Sequence, residues 1–195
     1  MMSFRVKSKW IIGLTGSMLS GKSTALAYFA KCGADVLSCD VLARELRERP
    51  AVLKKIRATL GTADKTELAK LVFANAAKRK ALENILHPLL LKEVRARIKQ
   101  SNRPVVVLEA PLLFEAGWDK YTDLNIVVLA DPKTLPARLK ERQLSRAEYN
   151  RRTQHQLPNL QKAQRADVVF FHTTKAQLKK SVERFCSVLE VLPHQ

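Results

Sequence analysis

Within the chain, the residues best suited to chemistry lie in one short stretch, Gly16-Ser17-Met18-Leu19-Ser20-Gly21-Lys22-Ser23, followed by Thr24. Two glycines framing four residues, then Lys and Ser, let a backbone turn sharply and aim its N–H groups inward at phosphate oxygens. In such a loop the lysine reaches the terminal phosphates of a nucleotide and the hydroxyl after it holds Mg2+, which gives Lys22 and Ser23 those roles. Two carboxylates are candidates to work beside it. Asp40 is placed to face the phosphates, although Asp is also a favoured helix N-cap and both readings stay open. Glu109 closes an apolar run, where a carboxylate beside a phosphate loop orders Mg2+ or its water. Five arginines, Arg138, Arg142, Arg146, Arg151 and Arg152, crowd a short stretch around Leu144-Ser145. They read either as groups that neutralise a transferring phosphoryl group or as an exposed basic helix pair.

The elements that must position these groups follow from pattern. Ile11 to Thr15 is a short apolar run that feeds the loop as a strand. Ser23 to Cys32 reads as the helix that follows, with its positive end near Lys22, and Gly33 ends it. Ala34 to Ser38 reads as the second strand, and Asp40 stands where that strand gives way to a helix over Val41 to Glu48. Pro50 to Leu60 reads as a helix, Gly61 to Asp64 as a turn, and Glu67 to Ala74 and Lys78 to Lys99 as helices. His87-Pro88 interrupts the last of these. Val105 to Glu109 is a continuous apolar run, as in a strand buried on both faces. Leu124 to Leu129 reads as a fourth strand, Asp131-Pro132 opens the next helix, Ala166 to Phe171 is a fifth strand, and Lys175 to Leu192 is an amphipathic closing helix. The expected fold is α/β, a parallel five-stranded sheet flanked by helices.

Composition bounds the rest. At 195 residues and 46% apolar content, the chain suits one domain with insertions. Lys and Arg total 35 against 18 for Asp and Glu, a net charge of +17. That favours anionic partners, whether a nucleotide, a phosphorylated cofactor or nucleic acid; the basic residues form no long run, so a solvated basic surface reads equally well. Cys32, Cys39 and Cys186 show no metal-ligand or redox spacing, which fits a reducing cytosol. Arg5, Lys7 and Lys9 before an apolar run resemble a weak signal peptide, but that run is the strand of the phosphate loop. No segment is long enough to span a membrane, and the expected location is cytoplasmic.

Taken together the motifs resemble the dephospho-coenzyme A kinase family over nearly the whole chain. The resemblance rests on Leu14-Thr15-Gly16 with Ser20-Gly21-Lys22-Ser23-Thr24, and on Gly33 with Asp40 and Ala43-Arg44-Glu45. It continues through Val72-Phe73-Ala74-Asn75, Leu86-His87-Pro88-Leu89 and Pro111-Leu112-Leu113-Phe114-Glu115. Arg138 with Arg142, Arg152 with Gln156, and Ala166-Asp167-Val168-Val169 complete it. The phosphate loop is shared by a large superfamily; the His-Pro and Pro-Leu-Leu-Phe-Glu segments are more specific. The resemblance implies a P-loop NTPase-type core over about 8–48, 103–132 and 166–195, a helical substrate-binding insertion over about 49–102, and a lid over about 133–165. It implies transfer of the γ-phosphate of ATP, with Mg2+, to the ribose 3′-hydroxyl of dephospho-coenzyme A. By position, Asp40 is the base that accepts the hydroxyl proton, and Gly16 to Thr24 bind ATP. Ser23 and Glu109 serve the metal. Asp40, Arg44, His87, Pro111, Leu112, Glu115 and Arg152 border the acceptor, and Lys22, Arg138 and Arg142 assist transfer. His87 reads equally as a structural residue before Pro88.

Departures from the family pattern fall in five places. The family loop usually reads Gly-Gly-Ile-Gly-Ser-Gly-Lys-Ser, whereas here Ser17 and Leu19 replace glycines. Ser38 stands for a common Asp, Gln143 for an Asp after the lid arginine, and His172 for an Asn. The stretch from Arg49 to Lys65 is shorter than usual. Three further readings remain at this point: another small-molecule kinase of the same fold, a basic nucleic-acid-associated protein that keeps an ATP loop, and an inactive relative of the kinase. The sequence leaves the oligomeric state open.

Overall fold

The computed structural model describes residues 9–191; Arg5, Lys7 and Leu192 lie outside them. Five strands form one sheet in the order β2-β3-β1-β4-β5: β1 (Trp10–Thr15), β2 (Asp35–Ser38), β3 (Val105–Glu109), β4 (Leu124–Ala130) and β5 (Val168–His172). The β1–β3, β1–β4 and β4–β5 ladders are all parallel. Parallel strands need crossovers and helices to cover both faces. Ile11, Ile12, Leu14, Val106, Val107, Leu108, Ile126, Val127 and Val128 are accordingly all fully buried. Helix α1 (Lys22–Lys31) lays Ala25 and Phe29 on this core, and α9 (Lys175–Val191) adds Leu178, Val182 and Leu189. Phe29 and Phe185 meet edge to face at 6.0 Å, a geometry that aromatic quadrupoles favour. Gly33, in the left-handed region, lies just past α1 as expected.

By contact the described chain divides into two compact units. One comprises residues 9–37 and 101–191 and carries the sheet core with α1, α6 (Leu135–Glu141), α7 (Arg146–Thr153), α8 (Asn159–Arg165) and α9. The other, Ser38–Gln100, contains α2 (Cys39–Glu48), α3 (Pro50–Leu60), α4 (Lys65–Ala74) and α5 (Ala76–Gln100). Its own core is Val52, Ile56, Leu60, Leu68 and Ile85. Asp64 caps α4 by accepting from the backbone N–H of Thr66 and Glu67, each at 2.9 Å.

Two local expectations are corrected. Asp40 does not cap α2: the helix starts at Cys39, Ser38 occupies the cap position, and Asp40 lies inside the first turn. There its charge favours the positive end of the helix. Pro88 does not interrupt the helical pattern either, since α5 runs through it for 25 residues. A proline removes one backbone hydrogen bond and crowds the carbonyl four residues earlier. Here that residue is Asn84, and both Asn84 and Pro88 face solvent, while Ile85, Leu90, Val94 and Ile98 bury the other face. Tertiary burial therefore outweighs the local cost. A smaller adjustment follows Asp131: the chain passes through a 3-10 turn over Pro132–Thr134 before α6 begins.

Candidate active site

The loop between β1 and α1 is built around two turns that need glycine. Gly16 has φ of 149°, and a Cβ there would sit 2.4 Å from the Val128 carbonyl oxygen and 2.6 Å from Ser20 Oγ. Gly21, with φ of 101°, occupies the cap position of α1. No side chain caps that helix and its first turn holds no acid. Its leading N–H groups are therefore left for an anion, and the helix dipole favours one. Ser20 Oγ is buried without a hydrogen-bond partner among the described residues. A buried hydroxyl in that state costs free energy until something bonds it, and a phosphate oxygen would do so.

Lys22 is buried, and its Nζ donates to the Ser17 carbonyl at 3.0 Å. That contact holds the ammonium inside the loop. Ser23 and Thr24 follow in the first turn of α1, with Ser23 exposed. Glu109 is buried at the carboxyl end of β3, where Leu14 of β1 is its register partner. A hydroxyl and a carboxylate are oxygen donors of the kind that would suit Mg2+. Among the described residues no three His, Cys, Asp or Glu side chains cluster as a metal site.

Leu19 takes φ of 64°, a left-handed conformation that costs a non-glycine residue about 1–2 kcal/mol. Its carbonyl accepts a 2.7 Å hydrogen bond from Arg138 Nη1, which reaches across from α6. Arg138 is thus brought to the loop. Arg142, just past α6, is exposed, Arg146 lies 5.7 Å from the Tyr149 ring centre, and Arg152 pairs with Glu148 one turn away on α7.

The segment after β3 forms the other wall. The Pro111 carbonyl accepts from Thr15 Oγ1 at 3.3 Å and from Lys162 Nζ at 2.7 Å. Lys162 is fully buried and pairs with Glu115 at 3.0 Å, while Glu115 also accepts from the Leu157 N–H at 2.7 Å. Burial holds the Lys162 ammonium below the usual lysine range, with Glu115 pulling the other way. Leu112 is exposed, whereas Leu113 and Phe114 anchor the segment in the core.

Asp40, Arg44 and His87 belong to the helical unit, and all three are exposed. Asp40 and Arg44 are four residues apart on α2, hence on one face.

Sequence reasoning overlooks Asn159 and Lys162. Asn159 Oδ1 accepts a hydrogen bond from Ser17 Oγ, and Lys162 holds Pro111 and Glu115. Nothing in their local sequence distinguishes them from other polar residues of a short helix. In the sequence His172 stands out only as a departure. In the fold it is buried under the loop, its Nε2 is 2.8 Å from the Ser20 carbonyl, and a Cβ on Gly21 would meet it at 3.0 Å.

This architecture matches known proteins in detail. The dephospho-CoA kinase family model matches residues 10–177. The chain belongs to that family. It is similar to a dephospho-CoA kinase of Fusobacterium nucleatum, 33% identical over 189 residues that cover 92% of this chain and 98% of that protein. Among solved structures it is similar to TT1252 of Thermus thermophilus, with a TM-score of 0.83 and 33% identity over 95% of this chain and 99% of the other. Shikimate kinase of Bacteroides thetaiotaomicron, 20% identical with a TM-score of 0.55 over 93% of this chain and 99% of its own, shares the fold. The sheet is therefore that of a P-loop kinase, and membership of the family makes the chain a kinase that uses ATP. No helix among the described residues is long and apolar enough to cross a membrane.

Proposed function

We propose that the chain transfers the γ-phosphoryl group of ATP to the ribose 3′-hydroxyl of dephospho-coenzyme A, the closing step of coenzyme A synthesis, in the cytoplasm. The observation that carries this reading is the phosphate cradle: Gly16 closed against Val128, Ser20 Oγ unpartnered, Lys22 held inside, and an uncapped α1. Family membership supplies the acceptor.

Roles follow from chemistry and position. Loop N–H groups, Lys22 and Thr24 bind the triphosphate. Arg138, already at the loop, stabilises charge on the transferring group, with Arg142 of the same segment beside it. Asp40 takes the proton of the attacking hydroxyl, a step worth about a hundred- to ten-thousand-fold. Arg44, His87, Pro111, Leu112, Glu115 and Arg152 form the acceptor side, with residues 49–102 serving as the substrate-binding insertion and 133–165 as the lid. Ser23 and Glu109 would hold Mg2+, whose charge neutralises the phosphates when bound.

The test is phosphoryl transfer from Mg-ATP to dephospho-coenzyme A by the wild type and Asp40→Asn side by side. The expected result is coenzyme A formation by the wild type and a loss of about a hundred- to ten-thousand-fold in kcat for the variant. The variant's ATP affinity should be unchanged. A wild type that binds ATP yet leaves dephospho-coenzyme A untouched would overturn the acceptor assignment.

A further inference from the structure

Two residues of the phosphate loop, Leu19 and Ser17, are both tied to the arginine-bearing segment. The Leu19 carbonyl accepts from Arg138, and the Ser17 hydroxyl donates to Asn159. Asn159 begins α8 and sits inside a short stretch that is fixed from the other side. The Leu157 N–H donates to Glu115, and Lys162 Nζ bonds both Glu115 and the Pro111 carbonyl. Thr15 Oγ1 also donates to that carbonyl at 3.3 Å, and Thr15 immediately precedes Gly16. The contacts close a ring: from Ser17 to Asn159, along residues 157–162 to Glu115 and Pro111, to Thr15, and through Gly16 back to Ser17. Lys22 lies inside this ring through its bond to the Ser17 carbonyl.

A glycine at position 17 would leave the ring open, because a side-chain hydroxyl makes the link from the loop to Asn159. We propose that the Ser17–Asn159 hydrogen bond is a positioning contact that couples the phosphate loop to the Pro111–Glu115 segment. Occupancy of one substrate site then favours the other. Ser17 and Asn159 touch no reacting atom; they act through the loop carbonyl that holds Lys22 and through the stretch that holds Pro111. The assignment rests on the kinase reading above, which puts the acceptor against Pro111–Glu115.

The experiment measures binding of the β,γ-imido analogue of ATP by calorimetry, with and without saturating dephospho-coenzyme A. The chains compared are the wild type, Ser17→Ala, Asn159→Ala, the double variant and Asn159→Asp. In the wild type, dephospho-coenzyme A should tighten the analogue. Ser17→Ala and Asn159→Ala should each reduce that tightening by about two- to tenfold, the span of one hydrogen bond. The double variant should be no worse than either single one, and Asn159→Asp, which keeps an acceptor oxygen, should restore the wild-type ratio. Loss of thermal stability with the ratio unchanged would reduce the contact to a structural one and overturn the proposal. So would two single effects that add, or a wild type that binds both ligands independently. A wild type that binds the analogue but no dephospho-coenzyme A would overturn the acceptor reading itself, a result separable from the others.

Discussion

The sheet unit and the helical unit place their candidate functional residues by different means. In the sheet unit the loop is held by backbone and burial: Gly16 against Val128, Lys22 on the Ser17 carbonyl, His172 under Ser20, and Arg138 on Leu19. One of its backbone positions, Leu19, takes a left-handed conformation that costs a non-glycine residue free energy. In the helical unit, Asp40, Arg44 and His87 are exposed on helices whose own core is the Val52–Ile85 cluster. A phosphate cradle must be complete before its ligand arrives, since preorganised donors stabilise charge without rearranging. The base and the acceptor-binding face proposed for the helical unit need only a stable helix beneath them. Substitutions in the first region should therefore cost stability and binding together, and exposed substitutions in the second should separate the two.

The largest effect expected is at Lys162. Lys162→Met leaves the half-buried Glu115 carboxylate with the Leu157 N–H but without its cation, and breaking a pair whose lysine is fully buried costs about 3 kcal/mol, the low end for buried pairs. Chemical denaturation of the variant should show that loss, and Lys162→Met with Glu115→Gln should recover much of it, because the orphaned charge is gone. A single variant as stable as the wild type would show that the wall of the site is not held by this pair. Gly16→Ala comes next. Its Cβ would stand 2.4 Å from a backbone oxygen, in a φ region closed to side chains, so about 2–3 kcal/mol of destabilisation is expected. Loss of ATP binding should accompany it. Retained ATP binding would mean that the cradle adapts, and the contrast between the units would weaken.

A change of opposite sign is expected in the helical unit. Pro88 interrupts the hydrogen-bond ladder of α5 on its exposed side, and proline costs a helix interior about 3 kcal/mol relative to alanine. Pro88→Ala should raise stability by about 1–2 kcal/mol, less than the full figure because alanine also frees the unfolded chain. Thermal unfolding would check this. If acceptor affinity falls while stability rises, the proline shapes the helix for function.

These expectations also mark what the amino-acid sequence conveys. All five strands, the loop and most helix limits follow from patterns of apolar runs, glycines and prolines, because those residues act locally on the backbone. Asp40 is legible at the strand-to-helix junction, yet its capping reading fails, since the helix starts two residues early, at Cys39, and takes Asp40 into its first turn. Pro88 misleads because burial of Ile85, Leu90 and Val94 is a tertiary effect. Asn159 and Lys162 are invisible because their partners lie 142 and 51 positions away in sequence. Polar side chains that bridge distant segments leave no periodic trace.

The smallest effect concerns the surface of the helical unit and pH. Glu93 bonds Arg49 at 2.7 Å and Arg97 at 3.0 Å. The Arg49 hydrogen bond first, then that of Arg97, holds its carboxyl below the usual glutamate value of 4.5. A carboxylate with a lowered folded pKa contributes stability that is fully present above its unfolded value and is lost as pH falls through the folded one. Stability of the wild type should therefore decline below about pH 4.5 more steeply than that of Glu93→Gln. At pH 7 the two should differ by about 1 kcal/mol or less, because exposed pairs are screened. The difference at pH 7 should shrink further in about 1 M salt, where the screening length is near 3 Å. Parallel acid profiles for the two chains would show that the Arg49–Glu93–Arg97 cluster holds nothing. The helical unit would then depend on its apolar core alone, which would sharpen its contrast with the polar ring that holds the loop.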